Sequence, residues 1–152
     1  MTRIGTNHTN IIYRDLSYQI MAAIFEVHKE LGPGFLEAVY EKALLLELTS
    51  RGMNVDVQKV FDLTYKGRKV GNHRLDLIVE EKIVLELKTV ERFAPHHTSQ
   101  LLSYLNASGY RLGILVNFSR AKVEYRRVVM GYIGFYSCNS LSFVTFVLLS
   151  FE

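Results

Sequence analysis

The chain has 152 residues, of which 49% are hydrophobic, and this excludes a disordered chain and favours one globular domain with a buried core. Its formal net charge of +3 is mildly basic and suits an anionic partner such as nucleic acid. The single cysteine, Cys138, excludes an internal disulfide framework and suits a reducing compartment. The first ten residues lack the apolar segment of a signal peptide, and we expect a cytoplasmic protein.

The first part of the chain predicts two helices. Apolar residues at three- and four-residue spacings predict a helix over residues 11–31, with Asp15 as its N-cap. A Gly-Pro-Gly sequence ends this helix. A second helix is predicted over residues 35–51, where it stops before Gly52.

The middle of the chain predicts a mixed α/β domain with a central sheet. Its predicted elements are strands at 54–65, 68–80 and 83–90, a helix from Pro95 to Ser108, a strand from Leu112 to Phe118, and a strand or short helix at 123–130. The dipeptide Lys66-Gly67 between the first two strands is typical of a tight turn. The sequence contains no repeat or linker that would divide this domain.

The last part of the chain is predicted to be an apolar tail, residues 131–152, distinct from a domain over residues 1–130. Its length permits a membrane span. Polar residues at 137–140 interrupt it and no basic residue follows it, so a membrane segment is disfavoured and a β-hairpin turning at Cys138 to Ser140 is preferred. An exposed tail, or one that pairs between the chains of a homodimer, stays open.

Two carboxylates and a lysine lie inside apolar, strand-like segments of the middle region. Asp76 lies within Leu-Asp-Leu-Ile-Val, and Glu86 and Lys88 alternate with leucines. Charges in such strands are normally paired, solvated or bound to a metal. If the turn between the strands is centred on Glu81, Asp76 lies across from Glu86 on the same face. A two-residue turn would instead direct Asp76 away and remove the site.

A third carboxylate, Glu37, begins a helical face of residues spaced three and four apart, so it can reach the same strands. Oxygen ligands of this kind suit Mg²⁺ or Mn²⁺, and the candidate ligands are Asp76, Glu86 and Glu37. Such a centre suits phosphodiester hydrolysis, with Lys88 orienting the attacking water or neutralising developing charge. The pattern alone leaves open the alternative that these charges line the exposed side of a strand.

Four motifs occur together in a fixed order. They are G-x-x-E-x-x-Y from Gly34 to Tyr40, Asp76, Glu-Leu-Lys at 86–88, and His-x-x-Gln-Leu-Leu-x-Tyr-Leu from His97 to Leu105. In this order they closely resemble the GxxExxY proteins of the PD-(D/E)XK nuclease superfamily, over about residues 16–130. Leu75 stands where the superfamily name has a proline, and we expect this variation to leave the site intact.

The resemblance implies a restriction-endonuclease-like core of order α-β-β-β-α-β, in which helices flank a mixed sheet. It also implies Mg²⁺-dependent cleavage of nucleic acid, with DNA favoured over RNA. The implied roles are Asp76 and Glu86 as metal ligands, Lys88 as the catalytic lysine, Glu37 as the acidic residue of the first motif, and Gln100 near the site from the following helix. A non-catalytic nucleic-acid-binding or scaffold domain with the same fold is the alternative.

Other residues are weaker candidates for binding the substrate. They are His97, Tyr104, Arg120 and Lys122, with Arg126 and Arg127 nearby. His97 suits either a phosphate contact or a helix cap. Tyr104, like Tyr40, suits a core residue with a hydrogen-bonded hydroxyl better than a base-stacking one. The basic residues suit phosphate binding and an ordinary solvated face about equally.

Overall fold

The computed structural model describes residues 12–130 and 147–149. Its elements are α1 (Arg14–Leu31), α2 (Glu37–Ser50), β1 (Val55–Tyr65), β2 (Arg68–Val79), β3 (Ile83–Lys88), α3 (Pro95–Ser108), β4 (Leu112–Asn117), β5 (Glu124–Val129) and β6 (Val147–Leu149). The predicted order of two helices, three strands, a helix and a strand is confirmed. The segment that the sequence left as strand or short helix is the strand β5.

The helix ends follow local backbone rules, with one correction. The predicted N-cap is wrong, because Tyr13 occupies that position and Asp15 lies in the first turn of α1. Its negative charge there still favours the positive end of the helix dipole. At the other end, Gly32 adopts a φ of 68° and its N–H donates to the carbonyl of His28. A positive φ of this kind is readily available only to glycine, which explains the stop.

The strands form one mixed sheet in the order β1-β2-β3-β4-β5-β6. Strands β3 and β4 are parallel, and all other neighbours are antiparallel. A parallel pair needs a long crossover connection, and α3 provides it. The expected α/β architecture is therefore confirmed. The predicted hairpin turn at Cys138 to Ser140 lies outside the described residues, and no described helix is long and apolar enough to cross a bilayer.

Helices cover both faces of the sheet. One core cluster joins Ile24 of α1 and Leu44 of α2 to the first face, and a second joins Leu101 and Leu105 of α3 to the opposite face. The approach of α3 is close, because a Cβ added at Gly113 of β4 would lie only 2.8 Å from the side chain of Leu101. The middle of the sheet, at β3 and β4, is thus buried on both sides, and its polar residues require an explanation.

Candidate metal centre

The hairpin of β2 and β3 has the register that the predicted site requires. Leu77 pairs with Leu85, and Val79 pairs with Ile83, so the turn is centred on Glu81. Extending this register by one pair places Asp76 across from Glu86. Residues directly opposite in an antiparallel pair share a face, and the observed pairs, which end at Leu77 and Leu85, agree with the odd-length turn that the prediction required.

The regular alternation of β2 breaks at Asp76. Leu75 packs in the cluster under α3, whereas Leu77 packs in the cluster under α1 and α2, although residues two apart on a regular strand share a face. The backbone N–H of Leu87 donates to Asp76 Oδ2 at 2.8 Å. The carboxylate therefore takes a backbone donor of β3 and is held between the two strands.

The neighbouring strand β1 is also irregular at this level. Val57 pairs with Leu77 and Lys59 with Leu75, so Gln58 lies across from Asp76. Gln58 has a φ of 54°, which is costly for a residue with a side chain. Strain of this kind persists where surrounding contacts impose it, often beside functional residues. Here it accompanies the break that positions Asp76.

Glu86 is the most deeply buried charged residue of the site, with 3% exposure. Its Oε1 accepts a hydrogen bond from Lys88 Nζ at 2.8 Å. Its Oε2 is buried and has no hydrogen-bond partner among the described residues. Burial raises the pKa of Glu86 to about 7, and the negative charge of Asp76 adds to this effect. An oxygen of this carboxylate is therefore available to a further positive partner.

Lys88 remains protonated in this setting. Burial lowers the pKa of Lys88, but its hydrogen bond to Glu86 and the charges of three carboxylates outweigh that effect and raise it. The pKa of Asp76 is raised by burial, against the opposing effects of the Leu87 amide and the Lys88 charge. The site thus contains one lysine cation surrounded by carboxylates that would be stabilised by more positive charge.

Glu37 is placed by the loop between α1 and α2. The hydroxyl of Tyr40 donates to the Gly32 carbonyl at 2.6 Å and accepts from the N–H of Phe35 at 3.3 Å. The ring of Tyr40 stacks on Phe118, with centroids 4.5 Å apart. The expectation that Tyr40 is a core residue with a hydrogen-bonded hydroxyl is confirmed, and it fixes the loop from which Glu37 begins α2.

The charge of Glu37 interacts with the strand residues. Burial raises the pKa of Glu37, the positive charge of Lys88 lowers it, and the negative charge of Asp76 raises it again. One helical turn later, Glu41 accepts a hydrogen bond from the Gln58 side chain, and burial raises the pKa of Glu41 as well. Sequence reasoning missed Glu41 and Gln58, although the four-residue spacing from Glu37 indicated a shared helix face for Glu41.

Helix α3 brings Gln100 and Tyr104 to the same side of the sheet. Gln100 Nε2 donates to the Tyr104 hydroxyl at 2.6 Å, and the ring of Tyr104 lies 4.4 Å from that of His73. Burial raises the pKa of Tyr104, and the negative charge of Glu86 adds to this. Tyr104 is therefore a buried residue with a hydrogen-bonded hydroxyl, as predicted, and it lies within electrostatic range of Glu86.

His97 caps the first turn of α3. Its Nδ1 accepts the N–H of Ala94 at 2.9 Å, and the side chain is mostly buried. Burial lowers the pKa of His97, and the positive charges of His96, Lys88 and Arg126 lower it further. Because Nδ1 accepts a hydrogen bond, the ring proton lies on Nε2. The cap role considered for His97 is therefore confirmed, and the phosphate contact stays a prediction.

The basic residues near the end of the chain divide between two environments. Arg120 and Lys122 are exposed in the loop after β4, and in the described part of the chain neither forms an ion pair with the site. Arg126 donates to Thr98 Oγ1 at 3.4 Å. A solvated role for Arg127 is wrong, because its guanidinium donates to the Ile12 carbonyl at 3.1 Å.

Asn117 is a structural residue of the site that sequence reasoning did not assign. It is fully buried and pairs with Lys88 across the parallel strands. Its side chain accepts from the N–H of Val90 at 3.1 Å and donates to the Val90 carbonyl at 2.7 Å. These bonds fix the chain directly after Lys88. A lone polar residue at the end of an apolar strand was the available signal.

The residues present fit a divalent cation. Within the described residues, no three His, Cys, Asp or Glu side chains surround a common point, so the predicted set of three carboxylate ligands is not assembled. Mg²⁺, however, usually keeps several waters and binds through one or two carboxylates. Asp76 and Glu86 supply two from neighbouring strands, and Glu86 Oε2 is a buried oxygen without a hydrogen-bond partner among the described residues.

Comparisons with known proteins identify the superfamily to which the chain belongs. A family model described as the PD-(D/E)XK nuclease superfamily matches residues 14–128. A solved structure described as "Crystal structure of SSO0001" aligns with a TM-score of 0.49 at 21% identity, and the alignment covers 76% of this chain and 58% of that one. This chain therefore spans less than two thirds of that protein. No curated protein matches the chain.

Proposed function

Because the chain belongs to the PD-(D/E)XK nuclease superfamily, we propose that it is a Mg²⁺- or Mn²⁺-dependent nuclease that hydrolyses phosphodiester bonds at Asp76, Glu86 and Lys88. Within the superfamily, we assign it to the GxxExxY proteins. This finer assignment is supported by the way Tyr40 anchors the loop that leads into Glu37. The single Cys138 supports a reducing, cytoplasmic location.

The observation that carries the proposal is the unpartnered Oε2 of Glu86. A buried carboxylate is costly unless it is paired or bound to a metal. Lys88 satisfies only Oε1, and Asp76 and Glu37 add negative charge around the same group. A divalent cation held by Glu86 and Asp76 would offset these charges together. A bound cation would therefore stabilise the buried carboxylates of this site.

Each residue then has a distinct role in hydrolysis. A divalent cation bound here would polarise a phosphoryl oxygen and lower the pKa of a water bound to it. Asp76 and Glu86 would hold that cation, and Glu37 would add negative charge beside them. Lys88, which stays protonated, donates hydrogen bonds and neutralises charge that develops on the phosphate. Gln100 orients the hydroxyl of Tyr104 at the edge of the site.

Substrate contacts are proposed for residues around this centre. His97 Nε2–H is a neutral donor whose tautomer is fixed by the Ala94 amide, and it suits a phosphate oxygen. Arg120 and Lys122 lie in the loop that follows β4, and β4 ends beside Lys88. Their exposed charges suit phosphates that flank the cleaved bond.

The direct test is a cleavage assay on duplex DNA, single-stranded DNA and RNA, with Mg²⁺, Mn²⁺ or a chelator. We expect cleavage only with a divalent cation and a loss of roughly 10²- to 10³-fold in Asp76→Asn, as for removal of a key transition-state contact. Asp56→Asn is the matched control, because Asp56 is exposed on β1 and pairs with Lys59. Cleavage that survives Asp76→Asn, or that needs no cation, would contradict the proposal.

One observation favours the non-catalytic alternative, in which the domain binds nucleic acid without cleaving it. No three metal-ligating side chains meet within residues 12–130. This alternative predicts salt-sensitive binding that persists without divalent cations and after Lys88→Ala. Absence of cleavage on all three substrates, together with such binding, would favour it over the nuclease.

A further inference from the structure

The outer part of the hairpin of β1 and β2 extends beyond the rest of the sheet. Strand β3 pairs with β2 only over Leu77–Val79, whereas β1 and β2 remain paired as far as Tyr65 and Arg68. Residues 59–74, called the arm below, are therefore two-stranded. At about 3.4 Å per residue, Arg68 lies roughly 27 Å along the strand from Asp76. The arm thus begins at the proposed catalytic centre and leads away from it.

Positive charge is concentrated in the arm. Its basic residues are Lys59, Lys66, Arg68, Lys69 and Arg74, and its one acidic residue is Asp62. Five basic residues and one acidic residue give the arm a formal net charge of +4. The whole chain has a formal net charge of only +3, so the arm is more positive than the complete molecule. Two of these lysines have acidic partners, in the pairs Lys59–Asp56 and Lys69–Asp62. The other basic residues form no ion pair among the described residues and remain available to an anion.

The two faces of the arm differ. On one face, Phe61 contacts Tyr110 edge-on at 5.9 Å, and His73 lies against Tyr104 of α3. This contact supports the arm from one side. On the other face Val60 is 50% exposed and Arg74 is also exposed.

The tip of the arm is exposed throughout residues 64–70. Tyr65 is 63% exposed and Val70 is 66% exposed, and the ammonium group of Lys66 lies 5.3 Å from the centroid of the Tyr65 ring. Basic side chains interleaved with an aromatic ring on an open ribbon suit a nucleic acid, because phosphates and bases offer negative charge and apolar surface together. The tip therefore presents positive charge and exposed aromatic and apolar surface together.

We propose that the arm binds duplex DNA by lying in its major groove and that it holds the duplex against the centre at Asp76. This inference rests on the proposed nuclease function and adds the form of the substrate. The major groove of B-form DNA is about 12 Å wide and admits a two-stranded β-ribbon. The major groove of A-form RNA is too narrow for such an element. The charge of the arm provides the attraction to the phosphates that border the groove.

The length of the arm sets where its contacts fall. At about 3.4 Å per base pair, the roughly 27 Å from Asp76 to Arg68 corresponds to about eight base pairs. The protected region of a bound duplex should therefore extend about eight base pairs to one side of the cleaved phosphate. A shortened duplex that keeps the cleaved bond and lacks that side should lose the arm's contribution.

The test is binding of the full chain to a labelled duplex DNA in chelator, so that no cleavage occurs. The arm variant is Lys66→Gln, Arg68→Gln and Lys69→Gln. The control variant, Lys29→Gln, Arg51→Gln and Lys82→Gln, removes the same number of lysine and arginine charges at exposed sites elsewhere. Both variants must match the wild type in circular dichroism. Arg74→Gln is a separate single variant away from the turn.

We expect the arm variant to weaken binding at least about tenfold at moderate salt and to reduce the salt slope by about 2, one for each of the unpaired cations Lys66 and Arg68 that it removes. Arg74→Gln should reduce the slope by about 1, and the control variant should leave it unchanged. Equal losses in the arm and control variants, or an equal loss on RNA duplex or single-stranded DNA, would overturn the proposal. Because this measurement needs no cleavage, its failure is distinct from a failure of the nuclease assay.

Discussion

Strands β3 and β4 are parallel neighbours of equal length in the middle of the sheet, and they differ sharply in composition. All residues of β4 are buried, and only its last, Asn117, is strongly polar. Strand β3 is buried to a similar degree but contains Glu86 and Lys88. Glu86 pairs with Leu115, and Lys88 pairs with Asn117. Two strands with similar burial therefore differ in content, because β4 has no charged side chain and β3 has two.

The difference indicates what the charges of β3 are for. Burial of apolar side chains in β4 stabilises the fold, whereas burial of Glu86 with a free oxygen destabilises it. Natural proteins keep such costly groups where function requires them. We infer that Glu86 is tolerated in β3 because it serves a cation site.

The largest expected effect is on β4. Leu115→Gln places an amide without a partner in the apolar cluster under α3, and it should lower the free energy of unfolding by about 4 kcal/mol. Urea denaturation monitored by circular dichroism measures this directly. A loss below about 1 kcal/mol would show that the sheet is loosely packed around the pair Glu86–Leu115.

The next effect is on catalysis. Lys88→Met removes the positive charge that donates to Glu86 Oε1, and it should lower kcat about 100-fold, because charge developing on the phosphate is no longer neutralised. Lys82→Met is the control, since Lys82 is exposed in the turn that precedes the same strand. Equal activities of the two variants in a cleavage assay would exclude a catalytic role for Lys88.

The third prediction also introduces a glutamine, but here the free energy of unfolding should rise, whereas in Leu115→Gln it should fall. Glu86→Gln removes a buried charge whose pKa is raised to about 7, so it should increase the free energy of unfolding by about 2 kcal/mol at pH near 8. Thermal unfolding should show a rise of about 5 °C. Cleavage should be lost in the same variant, because Gln is a poorer ligand for Mg²⁺.

The pH dependence of this difference checks its cause. A carboxyl with a raised pKa favours folding below its ordinary pKa of 4.5 and loses that contribution as pH rises toward 7. The wild type should therefore lose stability relative to Glu86→Gln as the pH rises through this range. A difference that stays constant with pH would mean that Glu86 ionisation is not responsible.

The smallest expected effect concerns the loop before α2. Tyr40→Phe keeps the stacked ring on Phe118 but removes the hydrogen bond to the Gly32 carbonyl, so it should cost about 1 kcal/mol of stability. Because the same bond fixes the start of α2, cleavage should fall more than stability alone explains. Urea denaturation and kcat, measured on one preparation, separate the two. An unchanged kcat would show that the position of Glu37 does not affect cleavage.

Much of the fold was predictable because local signals agreed with one another. Periodicity, Gly32 and the Lys66-Gly67 turn all favoured the observed elements, and the turn indeed joins paired Tyr65 and Arg68. The turn centred on Glu81 is the one that the predicted site required, and the pairs Leu77–Leu85 and Val79–Ile83 show it. The predicted start of α1 was wrong because the preference of aspartate for N-cap positions is only a local tendency. The backbone enters the helix at Tyr13, two residues before Asp15.

Other features depend on tertiary contacts that no local pattern contains. The left-handed backbone of Gln58 and the break in alternation at Asp76 arise from three strands meeting at one level. The inward direction of Arg127 depends on α1, more than a hundred residues earlier. The role of Asn117 depends on its pairing with Lys88. Sequence spacing predicts which residues share a face, and packing decides which of them meet.

A cation site at Asp76 and Glu86 is tested most directly by calorimetry of Mn²⁺ or Mg²⁺ binding to the wild type, Asp76→Asn, Glu86→Gln and the control Glu81→Gln, whose residue is exposed in the hairpin turn. We expect binding to the wild type and to Glu81→Gln, with loss in both site variants, and a cation-dependent rise in thermal stability only where binding occurs. Binding that persists in Asp76→Asn and Glu86→Gln would contradict a cation site formed by these two carboxylates.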